Sequence, residues 1–487
     1  MLLTRGAMGS LILAFAAQPG STRRLDHLAG RHTVVEQVMI RRNLAARPRR
    51  TVTPLAVAAA LALAATACGG NASTTGDAKD GFAQAPQSDG PLTVWVDSTR
   101  MDAAQLYQKQ NPAVKMDIVS YDGDANGSNY LQTKVSLFNR TGNGWPDVVF
   151  SSQNNEATWA VTAKFAAPLN KGLLPQSLLD GWAPNANQPC TVGGTVYCLR
   201  NDLSQTVLWY NAALMTQWGY QVPTTWEQYE ALGKKVAAEH PGYLVGAAGD
   251  TFTPEIYLWA SKCGANHITG PKAVTVNATS SACTRMASLL DSLIAAKTMS
   301  TSSVFSSDFD KNEADRILMM PGPSWYGGSL FQGTFKNPKG QVAVAPMPHW
   351  ADDTSPSVGN VGGGTWLLSA HSAHLKAAND FLTWVTTSDD YQGKLAVGYP
   401  AYAPAAKTWL AAQAASGYYA NDITAPLQAA AGQVWPDWGY GQFSQEAIWA
   451  ATITPGVTAG KTIVSLLPAW QKAIADYARS DGYQVTQ

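Results

Sequence analysis

Charged residues are scarce in this sequence. Lys, Arg, Asp and Glu make up 14% of its 487 residues, and their formal charges cancel at pH 7. Nine basic but only two acidic residues fall before residue 68, so the remaining 420 residues carry a net charge of −7. Proteins that bind nucleic acid present a basic surface instead. We therefore expect no nucleic acid partner.

Common catalytic and metal-binding motifs are also missing. The sequence has no Gly-x-Ser-x-Gly, His-Glu-x-x-His or P-loop motif. His371 and His374 have the spacing of a metal-ligand pair at a predicted helix start, but solvated first-turn histidines are the favoured interpretation. Asp122 and Asp124 resemble the start of a calcium loop that lacks its bidentate Glu, which favours a plain turn. We expect neither a metal nor a cofactor.

Long apolar runs are missing after residue 68, so we expect no later segment to cross a membrane. One short apolar run, 55–65, follows an arginine cluster and precedes small residues and Cys68, in the order typical of an export signal. Ala65-Thr66-Ala67-Cys68 resembles a bacterial lipobox, although Ala65 stands where Leu is usual. The resemblance implies that Cys68 is lipidated and becomes the mature N-terminus. A plain secretory signal cut near Cys68 is the alternative, and both place the protein outside the membrane.

The first 38 residues do not fit a signal peptide. Met39 stands directly before Ile40-Arg41-Arg42, where the charged start of such a peptide is expected. We predict that Met39 is the true start, so that 1–67 is an over-called extension plus the signal peptide. One long, unusual leader is the alternative.

Only five cysteines occur, and four remain once Cys68 is set aside. An even number in an exported protein indicates disulfides. Cys190 and Cys198 are symmetric about Gly194 in a predicted glycine-turn hairpin, which places them opposite each other across two strands. Cys263 and Cys283 then pair by elimination. A zinc site is disfavoured because no Cys-x-x-Cys or Cys/His ligand spacing exists.

The organisation after Cys68 is that of an α/β protein. Residues 68–90 are small and polar, as in a flexible tether. Apolar runs at 92–96, 114–119 and 147–150 then alternate with helical patterns at 101–110 and 129–138, which predicts a parallel sheet covered by helices.

Two further helix starts are predicted from capping patterns. Thr224 is followed three residues later by Glu227, as in a capping box, and apolar residues continue at helical spacing from Trp226. Farther along, a glycine-led strand at 362–369 precedes Ser372, which we expect to cap a helix with Leu375, Ala378, Phe381, Leu382 and Val385 on its buried face.

In order along the chain, these segments resemble the extracellular solute-binding proteins of ABC sugar importers. The strongest match is Leu208-Trp-Tyr-Asn211 followed by Gly219 and Pro223-Thr-Thr-Trp-Glu227. Supporting matches are Trp145-Pro-Asp-Val-Val149, Gly322-Pro-Ser-Trp-Tyr326, Val342-Ala-Val-Ala-Pro-Met-Pro348 and Ala377-Ala-Asn-Asp-Phe-Leu-Thr-Trp384.

The resemblance implies two lobes, each a mostly parallel sheet flanked by helices, which close on a ligand by a hinge motion. Three hinge crossings would fall near 202–205, 344–345 and 399–400. Lobe one would comprise 91–203 and 346–399, and lobe two 204–345 and 400–487.

The implied function is a membrane-anchored receptor that captures a mono- or oligosaccharide and delivers it to the permease of an ABC importer. All 17 tryptophans follow Cys68, and such rings stack on sugars. A monomer without cofactor is expected. One alternative is a binder of peptide, polyamine or oxyanion. Another is a secreted glycosidase with Asp97 and Glu255 as its carboxylates, which is disfavoured because acids in sugar clefts more often accept hydroxyl hydrogen bonds.

The candidate ligand contacts lie where strand ends and loops would face the cleft. The polar candidates are Asp97, Thr99, Arg100, Ser151, Gln153, Asn154, Asp202, Ser204, Asp250 and Glu255. The aromatic and glycine candidates are Phe252, Trp325, Gly363, Gly364, Trp366, Trp435 and Trp438. Trp325, after Gly322-Pro323, is the aromatic most strongly favoured to stack on a sugar ring.

Overall fold

The structure is a computed structural model that describes residues 79–124, 128–152, 155–270 and 272–487. The predicted leader, Cys68 and the first part of the predicted tether lie outside the described residues, as do Gln153 and Asn154. The described residues belong to one compact unit. In the described part of the chain, no helix combines the length and hydropathy needed to cross a bilayer.

Helices and short strands alternate along the chain. The α-helices are α1 Met101–Gln110, α2 Tyr130–Thr141, α3 Asn155–Thr162, α4 Gln176–Leu179, α5 Ala212–Gln217, α6 Trp226–Glu239, α7 Ser281–Ala295, α8 Ser307–Asn312, α9 Leu375–Thr387, α10 Ala403–Ser416, α11 Thr424–Ala431, α12 Gln445–Thr452, α13 Thr454–Thr458 and α14 Ile463–Ser480. The strands are β1 Leu92–Val96, β2 Met116–Ser120, β3 Val148–Ser151, β4 Thr191–Val192, β5 Thr195–Val196, β6 Cys198–Arg200, β7 Thr206–Asn211, β8 Gly246–Ala247, β9 His267–Gly270, β10 Ala273–Thr275, β11 Met299–Ser300, β12 Met319–Pro323, β13 Val342–Ala345, β14 Thr365–Leu368 and β15 Gln484–Thr486.

The first large sheet has the strand order β2-β1-β3-β14-β6. β1 runs parallel to β2 and β3, whereas β14 runs antiparallel to β3 and β6. Successive side chains of a strand point to opposite faces. Phe150 and Trp366 accordingly pack in one hydrophobic cluster with helix α9, and Val149 and Leu367 pack in another on the opposite face.

A second sheet, β12-β7-β13, lies in a separate and larger hydrophobic cluster. Both neighbours of β7 are antiparallel to it, while the short β8 and β11 pair in parallel. The sheets are therefore mixed, where the sequence predicts mostly parallel strands. The strand–helix alternation behind that prediction holds only through α3, and later strands are reached by long excursions that permit antiparallel entry.

The hydrophobic clusters also bear on the lobe boundaries. The cluster of the second sheet includes Met347, Trp350, Val358 and Val361. The resemblance, however, places 346–399 in lobe one. The chain returns to the first sheet only at Thr365, where β14 begins. The lobe boundaries remain a prediction, and this packing favours a second crossing between Val361 and Thr365.

Both predicted capping patterns need correction. Helix α6 is capped by Thr225, whose side chain accepts from the Gln228 N–H, and Gln228 returns a bond to Thr224. The box is thus shifted by one residue, which leaves Glu227 to pair with Arg285 at 2.8 Å. Ser372 does not cap α9, because its hydroxyl donates to Asp147 at 2.6 Å and the helix begins three residues later.

The predicted tether also differs from the structure at its end. Gln87 accepts a hydrogen bond from the Leu375 N–H at 2.8 Å, and the Ser88 N–H donates to the Ala373 carbonyl at 2.8 Å. These bonds dock the segment just before β1 onto the start of α9, where backbone donors are otherwise unpaired. The flexible tether remains a prediction for the residues that precede this segment.

Both predicted disulfides are confirmed. Cys190 pairs with Cys198 and Cys263 with Cys283. The first closes the short β4–β5 hairpin, whose turn residues Gly193 and Gly194 have φ of 57° and 77°, a region that glycine adopts without steric cost.

Candidate functional site

A cavity of 780 Å³ lies between elements of the cluster that contains Phe150 and Trp366 and elements of the cluster of the second sheet. We call it the cleft cavity. Its size is that of a small-molecule site. On the first-sheet side it is lined by Thr158, Val161, Thr162, residues 183–186, Gln188, Pro189, residues 191–193, Arg200 and Leu203. On the other side it is lined by Trp259, Ile268, Gly270, Lys272, Asn360, Gln428, residues 431–432, residues 434–440, Gln442 and Tyr483.

One side of the cleft cavity is the hairpin wall, defined here as the lining residues of 188–193. Asn170 holds the hairpin from outside, since its side chain donates to the Gly194 carbonyl at 3.1 Å and accepts from the Val196 N–H at 3.1 Å. Asn187 holds the base by accepting from the Arg200 N–H at 2.9 Å. The wall is thus fixed by side chains as well as by its disulfide.

The facing side is the tryptophan loop, residues 434–440. Trp438 stacks on Trp259 with ring centroids 5.2 Å apart and planes 11° apart, and both rings are almost fully buried. The Trp259 indole N–H donates to the Trp435 carbonyl at 2.8 Å. Trp435 itself is only partly buried. The stacked pair therefore anchors the loop and leaves Trp435 as its more accessible ring.

Arg200, Asn360 and Tyr440 form a bonded group among the lining residues. The Asn360 side-chain oxygen accepts from Arg200 at 2.8 Å and from the Tyr440 hydroxyl at 3.0 Å. Arg200 also donates to the backbone carbonyls of Asp202 and Gly362 at 2.8 and 2.5 Å. Burial raises the pKa of Tyr440, so its phenol stays protonated and able to donate. The Arg200 guanidinium is consequently engaged by protein oxygens.

Glu255 and Glu446 form a buried acidic pair near this group. Their exposed fractions are 2% and 7%. Burial, together with the neighbouring Glu446, raises the pKa of Glu255 well above its ordinary value. Glu255, a candidate ligand contact, is therefore enclosed by protein and does not line the cleft cavity.

The candidates after β1 contact each other rather than the cleft cavity. Arg100 forms an ion pair with Asp97 at 3.1 Å, and its guanidinium carbon lies 4.1 Å from the centre of the Phe150 ring. Asp202 is 3.9 Å from Arg100 and accepts from Ser204 at 2.9 Å. Burial raises the pKa of Asp202, an effect that Arg100 opposes. Thr99 is exposed, whereas Ser151, Asp202 and Ser204 are buried.

A second aromatic group surrounds Trp325, outside the cleft-cavity lining. Trp325 stacks near Phe305 with centroids 6.1 Å apart, and Phe252 meets it edge-on at 6.5 Å. Phe305 is 45% exposed. The Trp325 N–H donates to the Val361 carbonyl at 2.9 Å, one residue from Asn360. Asp250 is buried and accepts from the Val304 N–H at 3.1 Å, so it holds the segment that carries Phe305.

The prediction that Trp366 contacts ligand is corrected by its position. Its ring is fully buried, and its N–H donates to Asn201 at 2.9 Å. The backbone explains why glycine occupies positions 363 and 364, since their φ values are 91° and 59°. A Cβ on Gly363 would fall 2.5 Å from the Arg200 guanidinium, and a Cβ on Gly364 would fall 2.3 Å from the Phe150 ring. The close approach at these glycines is to protein atoms.

Of the described candidates, Trp435 and Trp438 alone line the cleft cavity. Sequence reasoning missed Arg200, Asn360, Tyr440 and the hairpin wall. Tyr440 could have been predicted from the sequence, because it ends the segment Trp435-Pro-Asp-Trp-Gly-Tyr440, which contains two of the candidates. The hairpin is recognisable from its cysteines, but its position beside a cavity depends on the tertiary fold.

The histidine pair has a structural explanation other than solvation. His371 stacks on Trp145 with centroids 4.0 Å apart, and His374 lies 3.1 Å from Asp147 and 2.9 Å from the Ser88 hydroxyl. The prediction of solvated histidines is therefore wrong. Among the described residues there is no group of three or more His, Cys, Asp and Glu side chains arranged to hold a metal.

Similarity to known proteins identifies the family. The sequence pattern described as bacterial extracellular solute-binding protein matches residues 93–392, more than half of the chain. The chain belongs to this family. The arabinooligosaccharide-binding protein of Bacillus subtilis (strain 168) is 25% identical over 211 residues, which span 42% of this chain and 47% of that relative. The match thus spans about half the length of that relative.

Solved structures show the same fold as this solute-binding protein. The ABC transporter associated binding protein from B. animalis subsp. lactis Bl-04, in complex with β-1,6-galactobiose, superposes with a TM-score of 0.68 at 20% identity, over 82% of this chain and 99% of that chain. The galacto-N-biose-/lacto-N-biose I-binding protein from Bifidobacterium longum, in complex with lacto-N-biose, gives 0.66 at 18% identity, over 82% and 99%. The chain has the two-lobed periplasmic-binding-protein-like fold.

Proposed function

We propose that this solute-binding protein captures a short oligosaccharide in the cleft cavity and delivers it to the permease of an ABC importer. The observation that carries the proposal is that the tryptophan loop and the hairpin wall face each other across the cavity. The partly buried Trp435 lies on one side, and Gln188 and Thr191 place polar side chains on the hairpin wall. Aromatic faces with a few placed polar groups suit sugar rings, which are apolar on their faces and polar at their edges.

The charges around the cavity favour a neutral ligand. Both lining cations are engaged by the protein: Arg200 as described, and Lys272 through donation to Gln442 at 2.9 Å and to the Asp481 carbonyl at 2.7 Å. An oxyanion site would need such donors for its ligand. Among the described lining residues, Asp437 is the sole carboxylate, which is few for a polyamine. A neutral oligosaccharide needs neither free cationic donors nor several carboxylates.

The relatives support the same ligand class. The names of the solved relatives specify β-1,6-galactobiose and lacto-N-biose, and the Bacillus subtilis relative is named for arabinooligosaccharides. These are short, neutral saccharides of different linkage, so the class is better supported than any one sugar. A permease partner follows from the family's role in import. The lipid anchor at Cys68, a monomeric state and the absence of catalysis rest on the sequence resemblance.

Thermal unfolding of the purified protein tests this proposal. The separate additions are β-1,6-galactobiose, lacto-N-biose, arabinooligosaccharides, a mixed oligopeptide, spermidine and phosphate. A ligand that binds only the folded state raises the melting temperature in proportion to the logarithm of its concentration. We expect a shift of a few degrees with at least one saccharide. A shift with only the peptide, spermidine or phosphate would contradict the sugar assignment, and released monosaccharide would identify a glycosidase.

A further inference from the structure

The hairpin wall is the one side of the cleft cavity that is closed by a disulfide. Gln188, Pro189, Thr191, Val192 and Gly193 contribute to the lining, while Cys190, between them, is fully buried and bonded to Cys198. Gln188 and Thr191 are exposed; the Thr191 hydroxyl donates to the Asn187 carbonyl at 2.7 Å, which leaves its oxygen to accept from a bound molecule.

The hairpin itself contains little regular structure. Strands β4 and β5 have two residues each and pair only with one another. A hairpin this short is marginal in water without further support. Its support comes from the Cys190–Cys198 bond, from the hydrogen bonds of Asn170 and Asn187, and from packing against α3.

We propose that this hairpin is a ligand-binding wall, and that the Cys190–Cys198 disulfide raises oligosaccharide affinity by holding the wall in its binding position. The inference rests on the proposed function of the cleft cavity and adds a specific determinant to it. A wall that is ordered before the ligand arrives spares the complex the entropy of ordering it, so the gain appears in affinity. Cys198 belongs to β6, the edge strand of the first sheet, so the bond also ties the hairpin to that sheet and its loss lowers fold stability as well as affinity.

The second disulfide offers a matched control. Cys263 and Cys283 are fully buried in the cluster of the second sheet, and neither lines the cleft cavity. The paired variants are Cys190→Ala with Cys198→Ala, and Cys263→Ala with Cys283→Ala. Each removes one cross-link from the folded chain, but only the first frees the hairpin wall.

Isothermal titration with β-1,6-galactobiose, lacto-N-biose and arabinooligosaccharides tests the affinity. For whichever sugar binds the parent protein, we expect at least a ten-fold weaker dissociation constant in the Cys190/Cys198 variant and less than a three-fold change in the control variant. Equal affinities of the two variants would overturn the proposal, whatever their melting temperatures.

Hydrogen exchange, measured without a ligand, tests whether the disulfide holds the hairpin wall in place. In the Cys190/Cys198 variant we expect faster exchange of the Val196 and Tyr197 amides, which donate to Asn170 and to the Cys190 carbonyl, with unchanged exchange in β1 and β7. Unchanged exchange at these amides would overturn the proposal. If no sugar binds the parent protein, the proposed function fails for those sugars. Faster hairpin exchange would then still support the disulfide as the element that fixes this wall.

Discussion

The Gln442 side-chain amide donates a 2.7 Å hydrogen bond to the Thr162 hydroxyl. Thr162 ends α3 beside the first sheet, and Gln442 follows the tryptophan loop on the opposite side of the cleft cavity. The bond therefore joins the two sides across the rim of the cavity. In a protein that closes around its ligand, such a contact stabilises the closed form and thereby the bound state.

The first prediction removes this contact. Thr162→Val keeps the side-chain shape but loses the hydroxyl, whereas Thr162→Ser keeps the hydroxyl and serves as the control. A typical net hydrogen bond contributes about 0.5–1.5 kcal/mol, so Thr162→Val should weaken sugar binding roughly two- to ten-fold. Titration calorimetry on both variants checks this. Equal weakening by serine and valine would show that the bond does not favour closure.

The second prediction separates two tryptophans of the same loop. Trp435→Ala removes the accessible ring, so sugar affinity should fall roughly ten-fold or more with a small change in melting temperature. Trp438→Ala leaves a cavity against Trp259 and should lower the free energy of unfolding by about 3–5 kcal/mol. Comparing affinity and melting temperature in the two variants checks the assignment. The reverse pattern would place the ligand face on Trp438.

The first half of the fold is largely predictable from the sequence, for a physical reason. β1, β3 and the helices between them are local patterns: buried runs such as Val148–Ser151 express their period directly, as the buried face of α9 does later in the chain. The direction of β12 and β13 against β7 is set by the path of long excursions, which local periodicity does not encode. One-residue shifts, as between Thr224 and Thr225, arise because neighbouring residues have equal capping ability.

The site was harder to predict than the fold. Rules about strand ends identified Asp97, Arg100 and Asp202, which the structure brings together within one polar group, but that group does not line the cleft cavity. The cavity instead uses residues 183–193 and 434–440, which are far apart in sequence and short of regular structure. A tryptophan such as Trp366 looks the same in the sequence whether it is buried or exposed, and only packing separates the two.

The third prediction concerns the anchor. Cys68→Ser should release the exported protein from the membrane fraction, because a serine hydroxyl cannot carry the thioether-linked lipid. Fractionation of cells expressing each form checks this. Cys263→Ala provides a control in which a different cysteine is lost and membrane attachment should persist. Retention of the Cys68→Ser protein would leave the lipobox interpretation without support.

The fourth prediction concerns the aromatic group beside Val361. Trp325 lies outside the cleft-cavity lining, so a sugar ring that stacks on it would extend beyond that cavity; it is partly buried next to Phe305, and its N–H fixes its orientation on the Val361 carbonyl. Stacking and burial of an aromatic ring contribute about 1–3 kcal/mol, so Trp325→Ala should weaken binding roughly ten- to hundred-fold. Trp384→Ala, at a partly buried tryptophan of α9, is the control. Unchanged affinity with a large fall in melting temperature would make Trp325 a core residue.

The fifth prediction follows from the raised pKa of Glu255. Burial beside Glu446 favours its protonated form in the folded protein. A carboxyl whose folded pKa lies above its unfolded value of about 4.3 contributes most stability below that value and loses it as pH rises towards the folded pKa. Glu255→Gln keeps a neutral donor of the same shape and removes this loss. The variant should therefore melt at nearly the parent temperature at pH 4 and above it at pH 8. Glu227→Gln, at a carboxylate that is 43% exposed, is the control. If the Glu255→Gln advantage is the same at both pH values, the carboxyl does not change its protonation between them and the prediction is wrong.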